Sequence, residues 1–458
     1  MAEHPQYGRG RIVSIFHGGA EWLVRFDNGL RFRRPRAEFM GQASHVVAPA
    51  ALSPLPEIFP MSTMQFAARQ LLEALRVGVA PVQHIQEMTI GLTEERAGFS
   101  AGLNQAHQSG GAVRAVIGDY GYGKSHIVEL VTQDALNRGF LVATVSLDLQ
   151  ELPAHHSFDI YAGLMRAMRY PDSEERGLSP LLQKFHGITR LHEELKALTE
   201  MPADPLAATL AALDNTTSSR KRGAWENWLM GGRRVAAMNR TLPYGVKLPV
   251  IYRTGKNARQ IAYLFSGVSV MARLAGYSGL CLLIDEAESY SLLSAAQRGK
   301  ADLFFSAVIC AASREFQTRI KAADIPQHHR HEYPLTYRER QSLFFLFTVT
   351  RSDNRLPLDA WLDKEQIVEL NPHQTPQEIG QFLQKVMLYH AQAYGYESGE
   401  RQGQIRRAAA EHLALGMRND KLSIRGVVRL AVELYDLLYL YPDYDTATML
   451  DELREQMR

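Results

Sequence analysis

The segment from Gly118 to Ser125, Gly-Asp-Tyr-Gly-Tyr-Gly-Lys-Ser, constrains the fold of this chain more than any other feature. It has the form G-x-x-x-x-G-K-[ST] and lies between a predicted strand, Ala112 to Ile117, and a predicted helix, Ser125 to Asn137. In that context glycines let backbone N–H groups turn toward phosphate oxygens, and the helix N-terminus adds partial positive charge. The segment therefore predicts a phosphate-binding loop that follows a buried strand.

The predicted loop supplies groups for both a nucleotide and its metal ion. Lys124 is expected to reach the β- and γ-phosphates of ATP, and Ser125 is expected to bind the Mg²⁺ that bridges them. The expected nucleotide-binding residues of the loop are Gly118, Asp119, Tyr120, Gly121, Tyr122, Gly123, Lys124, Ser125 and His126. A chance glycine-rich turn is the alternative, and the flanking strand and helix argue against it.

A second motif supplies two carboxylates. The apolar residues Leu280 to Ile284 predict a strand that is covered on both faces of a parallel sheet. Asp285 and Glu286 follow at its carboxyl end, where α/β sheets place their ligands. Asp285 is expected to hold Mg²⁺, and Glu286 to act as general base on the attacking water. Glu288 better fits an acid in the first turn of a helix.

A further predicted strand, Leu343 to Thr350, ends in polar residues that can reach the nucleotide. Thr348 and Thr350 share a face because strand side chains alternate, and Thr350 is the candidate for contact with the γ-phosphate or the water. Threonines also simply suit strands. Arg351 and Arg355 are candidates for an arginine that completes the site of a neighbouring subunit, which implies a homo-oligomer. A solvated surface arginine is the commoner explanation.

Composition limits the class of protein. The chain has 458 residues, of which 46% are hydrophobic and 22% charged, and this predicts several globular domains. Cys281 and Cys310 lie in apolar segments, as buried thiols of a reducing compartment do. No apolar segment approaches the roughly 18 residues of a membrane span, and the N-terminus lacks the core of a signal peptide. These features predict a cytoplasmic protein without membrane contact.

The order of predicted elements is that of an α/β protein. Strands alternate with helices between residues 112 and 370, which implies a parallel sheet of about five strands with helices on both faces. Short strands before residue 40, separated by glycines, predict a small β-barrel. The predicted domains are a barrel at residues 1–50, a linker at 51–61, an ATPase core at 62–371 with a helical insertion at 171–249, and a helical lid at 372–458.

Three parts of the sequence resemble known families. The run Gly8 to Val13, followed by Trp22 to Asp27, resembles Tudor or SH3-like barrels. The run Ser423 to Leu430 resembles the sensor 2 helix of AAA+ ATPases, which implies that Arg425 contacts the γ-phosphate. The run Met88 to Glu95 resembles the AAA+ loop that lines the adenine pocket, which implies contacts by its residues Ile90 and Gly91. In that run Leu92 replaces the arginine usual in the family.

A narrower resemblance covers most of the ATPase region. The runs Val116 to His126, Leu274 to Leu280 and Asp285 to Glu288 together resemble the ATP-binding proteins of bacterial BREX (bacteriophage exclusion) systems. This resemblance implies a role in defence or DNA-modification complexes, with other defence proteins as partners. The expected cofactors are ATP and Mg²⁺, and the expected catalytic residues are Lys124, Glu286, Thr350 and Arg425.

Two basic clusters are candidates for a DNA contact, although the formal net charge of the chain is only +2. Residues 1–40 contain seven arginines and four acids, and 7 minus 4 gives +3. In that region Arg31, Arg33 and Arg34 are expected to face solvent and meet phosphates, and a barrel that binds protein is an equal alternative. The second cluster, Arg220 to Arg240, lies beside Trp225 and Trp228. It suits stacking on single-stranded DNA or, alternatively, a solvated helix with tryptophans in its core.

The sequence leaves two functions open. The first is an ATPase whose hydrolysis remodels DNA or moves along it. The second is an ATP-dependent switch that turns over slowly and recruits partner proteins. Strong stimulation of turnover by DNA would favour the first, and nucleotide-dependent assembly without stimulation would favour the second.

Overall fold

The computed structural model divides the chain into two compact units, Met1–Thr63 and Met64–Arg458. The predicted linker, residues 51–61, lies outside the described residues, as do residues 40–50 of the predicted barrel. The structure describes residues 2–27, 31–39, 62–79, 82–199, 201, 204–232, 238, 251, 257–287, 290–313, 318–327, 332–337, 339–351, 356–370, 374–397, 399–419, 421–443, 445 and 448.

The first unit contains a curled antiparallel sheet of four strands in the order β1-β2-β3-β4. Buried and more exposed residues alternate along β3 (Glu21–Phe26). Trp22, Val24 and Phe26 are buried in the core of the sheet, and the residues between them are more exposed. A register shift between Ile12 and Ser14 bends the second strand. The sheet forms a half-barrel, and the closed Tudor or SH3-like barrel stays a prediction. Its strands are β1 (Ala2–His4), β2 (Gly8–Phe16), β3 (Glu21–Phe26) and β4 (Arg31–Pro35).

The second unit is built on a parallel sheet of five strands in the order β6-β7-β8-β5-β9, which confirms the predicted α/β class. Every residue of β7 and β8 is buried, because helices cover both faces of the sheet. The strands are β5 (Gly111–Gly118), β6 (Phe140–Ser146), β7 (Gly279–Asp285), β8 (Leu343–Thr350) and β9 (Ile367–Glu369).

Two layers of helices flank this sheet. One face, which carries Val116, Cys281 and Phe344, packs against α2 (Thr93–Ser109) and α3 (Lys124–Asn137). The other face, which carries Val113, Leu282 and Phe345, packs against three longer or more apolar helices. These are α4 (Ser157–Ala167), α9 (Ala258–Leu274) and α10 (Ala295–Ser313), and a short α11 (Leu358–Trp361) precedes β9.

The described part of the predicted insertion is helical and anchored to the core. Asp204 caps the first turn of α7, and its carboxylate accepts hydrogen bonds from Ala207 N (2.7 Å), Tyr263 Oη (2.8 Å) and Tyr337 Oη (2.7 Å). Burial raises the pKa of this carboxyl above its usual value. The helices are α5 (Ser179–Phe185), α6 (Thr189–Ala197), α7 (Pro205–Asp214) and α8 (Ser219–Leu229).

Helices after residue 374 form a separate apolar cluster together with the first helix of the unit. Thr375 and Glu378 make a capping box at the start of α12, and Gly395, which has a φ of 72°, follows its last residue as the C-cap. Leu71, Leu72 and Leu75 of α1 pack in the same cluster as these C-terminal helices. The four helices are α1 (Thr63–Arg76), α12 (Pro376–Tyr394), α13 (Glu400–Arg418) and α14 (Ile424–Leu440).

Two general expectations can be compared with the structure. Cys281 and Cys310 are both buried, and neither forms a disulfide. Within the described ranges, the helices are too short or too polar for any of them to cross a membrane.

Candidate nucleotide-binding site

The glycine-rich loop lies at the carboxyl end of β5, and α3 begins within it at Lys124. Gly121 and Gly123 have φ values of 85° and 86°, in the left-handed region that favours glycine. Their conformation folds the loop back over the helix N-terminus, with Tyr122 N donating to Asp119 O at 3.2 Å. The loop therefore follows β5 directly and leads into the N-terminus of α3, which is the arrangement in which backbone N–H groups bind phosphate.

Other side chains of the loop differ in exposure. Tyr120 is 86% exposed, whereas Tyr122 packs partly against the apolar cluster beneath α3. Ser125 is exposed in the first turn of α3, where its hydroxyl is accessible. Only small residues suit the end of the strand, because a Cβ on Gly118 would come within 3.0 Å of Leu370.

Lys124 is a buried cation with neutral partners. Its side chain is 7% exposed. The ammonium donates to Thr350 Oγ1 at 2.8 Å, to Gly118 O at 3.2 Å and to Asp119 O at 3.4 Å. Among the residues that the structure describes, no carboxylate forms an ion pair with it. A buried charge without a counter-ion is costly, so this position favours a bound anion.

The two carboxylates follow β7 and are held by its neighbour β8. Asp285 is 8% exposed. Its Oδ1 accepts from Thr348 Oγ1 at 2.5 Å and from Glu286 N at 3.0 Å. Thr348 Oγ1 also accepts from Glu286 N at 3.0 Å. Since the single hydroxyl proton of Thr348 goes to Asp285, one threonine orients both acidic residues.

Glu286 has a strained backbone. Its φ is 55°, a left-handed conformation that costs a residue with a side chain about 1–3 kcal/mol. The bond from its N–H to Thr348 helps to hold this conformation. The turn points the exposed Glu286 side chain out of the sheet edge rather than into the core.

Ser146 is a residue of this site that the sequence analysis missed. It ends β6, pairs in register with Asp285, and donates from Oγ to Glu286 Oε2 at 2.9 Å. The available signal was its place as a hydroxyl residue near the carboxyl end of the apolar segment Phe140 to Leu147, which the sequence predicts to be a strand. Because that signal is weak without the strand order, only the structure connects Ser146 to Glu286.

Strand β8 brings the two motifs together. It pairs with β5 on one side, where Thr350 opposes Gly118, and with β7 on the other, where Phe347 opposes Ile284. The loop and the carboxylates therefore flank one strand at the same sheet edge, roughly 10 Å apart across two strand spacings. Thr350 contacts the lysine and Thr348 contacts the acids.

The oxygens at this edge suit Mg²⁺. Asp285 offers a carboxylate and Ser125 a hydroxyl, which are hard ligands of the kind that Mg²⁺ prefers. The described residues contain no group of three or more His, Cys, Asp or Glu side chains that could enclose a metal ion. One carboxylate with a hydroxyl fits a Mg²⁺ that takes its other ligands from phosphates and water.

The predicted adenine loop lies between the lid helices and α3. Thr89 Oγ1 donates to Ile85 O at 2.6 Å and lies 2.9 Å from His126 Nε2. Ile90 is buried in the apolar cluster that α1 forms with the helices of the predicted lid, the lid cluster. A Cβ on Gly91 would come within 2.2 Å of Gln374 Oε1. Burial and the positive charge of Arg96 lower the pKa of His126 to about 4, so its imidazole is neutral near pH 7.

The predicted arginines have different surroundings. Ser423 caps α14, accepting from Gly426 N at 3.2 Å, and a Cβ on Gly121 would lie 3.9 Å from Ser423 Cβ. The helix that carries Arg425 therefore begins beside the phosphate loop. Arg425 itself is exposed, and its Cγ packs against Gly78.

Two other arginines were candidates for a neighbouring subunit's site. Arg351 pairs with Glu369 at 3.0 Å on the surface. Arg355 lies outside the described residues, as does Glu288.

One comparison with known proteins bears on this site. The family model described as BREX system ATP-binding protein BrxC/D matches residues 65–219. That stretch includes the whole loop from Gly118 to Ser125 and ends before Asp285 and Glu286. No curated protein matches the chain. The chain is therefore similar to this ATP-binding family over about a third of its length.

Proposed function

We propose that this chain binds Mg-ATP at Gly118–Ser125 and hydrolyses it with Glu286 as general base. The observation that carries the proposal is the convergence of Lys124 and the Asp285–Glu286 pair on either side of β8. A buried ammonium on one side suits the triphosphate, and carboxylates on the other suit a metal ion and a water. The similarity to an ATP-binding family supports the same assignment.

In the proposed reaction a water molecule attacks the γ-phosphorus, the bond to the β-γ bridging oxygen breaks, and ADP leaves. Glu286 takes the proton of the attacking water, and Lys124 stabilises charge on the phosphate oxygens. Asp285 and Ser125 would hold the Mg²⁺, which neutralises phosphate charge when bound. Thr348 keeps Asp285 and Glu286 oriented, and Thr350 directs the lysine ammonium.

The lid and the adenine loop complete the proposed site. Arg425, in the first turn of α14, is assigned to the γ-phosphate, because the helix start lies beside Gly121. Ile90, Gly91 and His126 are assigned to the base and ribose side, where the loop contacts both α3 and α12. The proposed domains keep the sequence boundaries, with residues 62–371 as the core, 171–249 as its insertion and 372–458 as the lid.

We also propose that turnover is coupled to DNA within a BREX-like defence complex, in a homo-oligomer whose neighbouring subunit supplies an arginine. The defence context rests on the family similarity. Of the two basic clusters, the second is less suited to base stacking, since Trp225 is 0% exposed and Trp228 lies in the core beside it. Arg220 and Lys221 remain exposed on α8, whereas Arg233, Arg234 and Arg240 lie outside the described residues.

A slow ATP-dependent switch is the second candidate, and one contact favours it. Ser146 donates to Glu286 Oε2 at 2.9 Å, so one carboxylate oxygen of the proposed base is already engaged by a protein donor. A protein that rests in this arrangement would hold ATP with little turnover until a partner breaks the contact.

A turnover assay with and without duplex DNA tests both candidates. We expect the wild-type chain to release phosphate from ATP and Glu286→Gln to bind ATP with little turnover. DNA stimulation of several-fold favours the remodelling enzyme, whereas nucleotide-dependent assembly without stimulation favours the switch. Full activity of Glu286→Gln would show that another group is the base.

A further inference from the structure

The strand register of the N-terminal half-barrel places arginines opposite one another. Arg11 of β2 pairs with Arg25 of β3, and Arg25 pairs with Arg31 of β4. The row therefore crosses three adjacent strands. Like charges directly opposite in a sheet destabilise it, so the row is unfavourable for folding alone.

The described surroundings do not neutralise Arg11 and Arg25. Arg11 and Arg25 are both exposed, and neither forms an ion pair with a described carboxylate. The acids of this unit are engaged elsewhere: Glu3 with Arg9 at 4.0 Å, Glu21 with Arg33 at 2.6 Å, and Glu38 with Arg34 at 3.9 Å. Asp27 forms no ion pair with the described part of the unit. An external anion is therefore the partner that would balance the charges of Arg11 and Arg25.

The other two arginines of the sequence prediction have different roles. Arg33 donates to Glu21 and lies with its guanidinium carbon 4.3 Å from the centre of the Phe16 ring. Arg34 pairs in register with the buried Trp22, and its guanidinium lies over Tyr7 and Phe32 at about 6 Å. Both side chains already interact with other residues of the sheet. We therefore assign the phosphate contacts to Arg11 and Arg25 in place of the predicted Arg33 and Arg34.

The chemistry of the face distinguishes a duplex from a single strand. Proteins that bind single strands stack bases on aromatic side chains. Here Trp22, Phe26 and Phe32 pack in the core on the opposite face, and Arg33 covers Phe16. The face offers cations without free aromatic rings, which suits a phosphate backbone whose bases are already paired.

We infer that Arg11 and Arg25, which lie opposite one another on β2 and β3, bind the phosphate backbone of duplex DNA. The inference deepens the proposed coupling to DNA and rests on it for its biological meaning. It does not depend on nucleotide binding or hydrolysis, because the row belongs to the unit Met1–Thr63.

The experiment measures binding of a fluorescent duplex by the nucleotide-free full chain over a range of salt concentrations. The variant Arg11→Gln/Arg25→Gln loses two phosphate contacts, which lowers the slope of log K against log salt by about 1.8 and the affinity by about 30-fold at 0.15 M salt. The control Arg33→Gln removes a charge that is already paired and stacked, and we expect it to change the affinity less than about threefold.

Several outcomes decide the inference. A slope and affinity unchanged in the double variant overturn it, as does an equal loss in Arg33→Gln, which would show a general charge effect. Equal or tighter binding of single-stranded nucleic acid or of polyglutamate would assign the face to another partner. The melting temperature of the double variant should equal or exceed that of the wild type because repulsion is relieved. A lower melting temperature with the lost affinity would indicate a structural role instead.

Discussion

The hydroxyl of Thr348 provides the sharpest test of the proposed site, because one oxygen holds both acidic residues. Thr348→Val keeps the shape of this fully buried side chain and removes only its hydrogen bonds. The carboxylate of Asp285 then loses a donor at 2.5 Å, and Glu286 N loses an acceptor at 3.0 Å. Glu286 also loses a contact that holds its left-handed backbone.

The size of the effect follows from these contacts. A hydrogen bond to a charged group contributes about 1.5–3 kcal/mol, and one between neutral groups about 0.5–1.5 kcal/mol. Asp285 keeps its bond from Glu286 N, so we expect roughly 2 kcal/mol of lost transition-state stabilisation. This corresponds to a fall in kcat of about 30-fold. ATP affinity should change little, because Lys124 lies on the other side of β8.

Thr350→Val, two residues along the same strand, is the matched control. It removes the oxygen 2.8 Å from the Lys124 ammonium and leaves Asp285 and Glu286 bonded to Thr348. We expect it to raise the Kd for ATP about fivefold, with a smaller effect on kcat. Steady-state phosphate release and equilibrium binding of a fluorescent ATP analogue measure the two quantities. If Thr348→Val keeps kcat within twofold, or if both variants lose only affinity, the assignment of the two threonines is wrong.

Three further variants test separate parts of the site. Lys124→Ala should weaken ATP binding by about 100-fold or more, because charge-assisted bonds to phosphate are lost. Lys300→Ala, at an exposed lysine, is its control. An unchanged ATP affinity of Lys124→Ala would refute the phosphate assignment. Ser146→Ala should raise basal turnover about two- to tenfold, since it frees the Glu286 carboxylate from a bond at 2.9 Å; a lower rate would instead show that Ser146 orients the base. For His126, the pKa of about 4 in the folded chain lies below the usual histidine pKa of 6.5, so the unfolded chain binds more protons between these two pH values. The melting temperature should therefore fall as the pH drops from 6.5 toward 4, and His126→Gln should reduce that dependence.

The sequence predicted the central strands well because local signals were sufficient there. Strand β8 spans Leu343–Thr350 as predicted, and the strand before the loop extends one residue further at each end than Ala112 to Ile117. These segments are apolar, bounded by polar residues or glycine, and covered on both faces. The parallel class followed from the alternation of strands and helices.

Boundaries were less predictable where the start of a helix is polar. Hydrophobic spacing in the sequence predicts a helix over Asp302 to Phe316, whereas α10 begins at Ala295. Its signal was a cap: Ser294 N donates to Gln297 Oε1 at 2.9 Å, and Gln297 N donates to Ser294 Oγ at 3.4 Å. The first turns of α10 are largely exposed, so hydrophobic spacing detects only its later, buried part.

Contacts between distant parts of the chain could not be predicted from one sequence. Arg76 at the end of α1 donates to Asp436 Oδ1 at 2.7 Å, and His390 Nε2 lies 3.0 Å from the same oxygen. The pair Arg76–Asp436 is separated by 360 residues. This network joins α1 to α12 and α14, although α1 precedes the phosphate loop in sequence. Composition and spacing do not reveal that these helices pack against one another, because each alone reads simply as an amphipathic helix.

The segment from Met88 to Leu92 contacts both the C-terminal helices and the apolar cluster beneath the sheet. Met88 and Ile90 pack in the lid cluster, whereas Thr89 contacts His126 of α3 and Leu92 packs in the cluster beneath the sheet. Residues of this one short segment therefore contact both the C-terminal helices and the helix layer beneath the sheet. In the proposed site, a base bound against this segment contacts both parts at once, and its binding free energy favours the arrangement in which α14 begins beside Gly121. The proposed contact of Arg425 with the γ-phosphate depends on that arrangement.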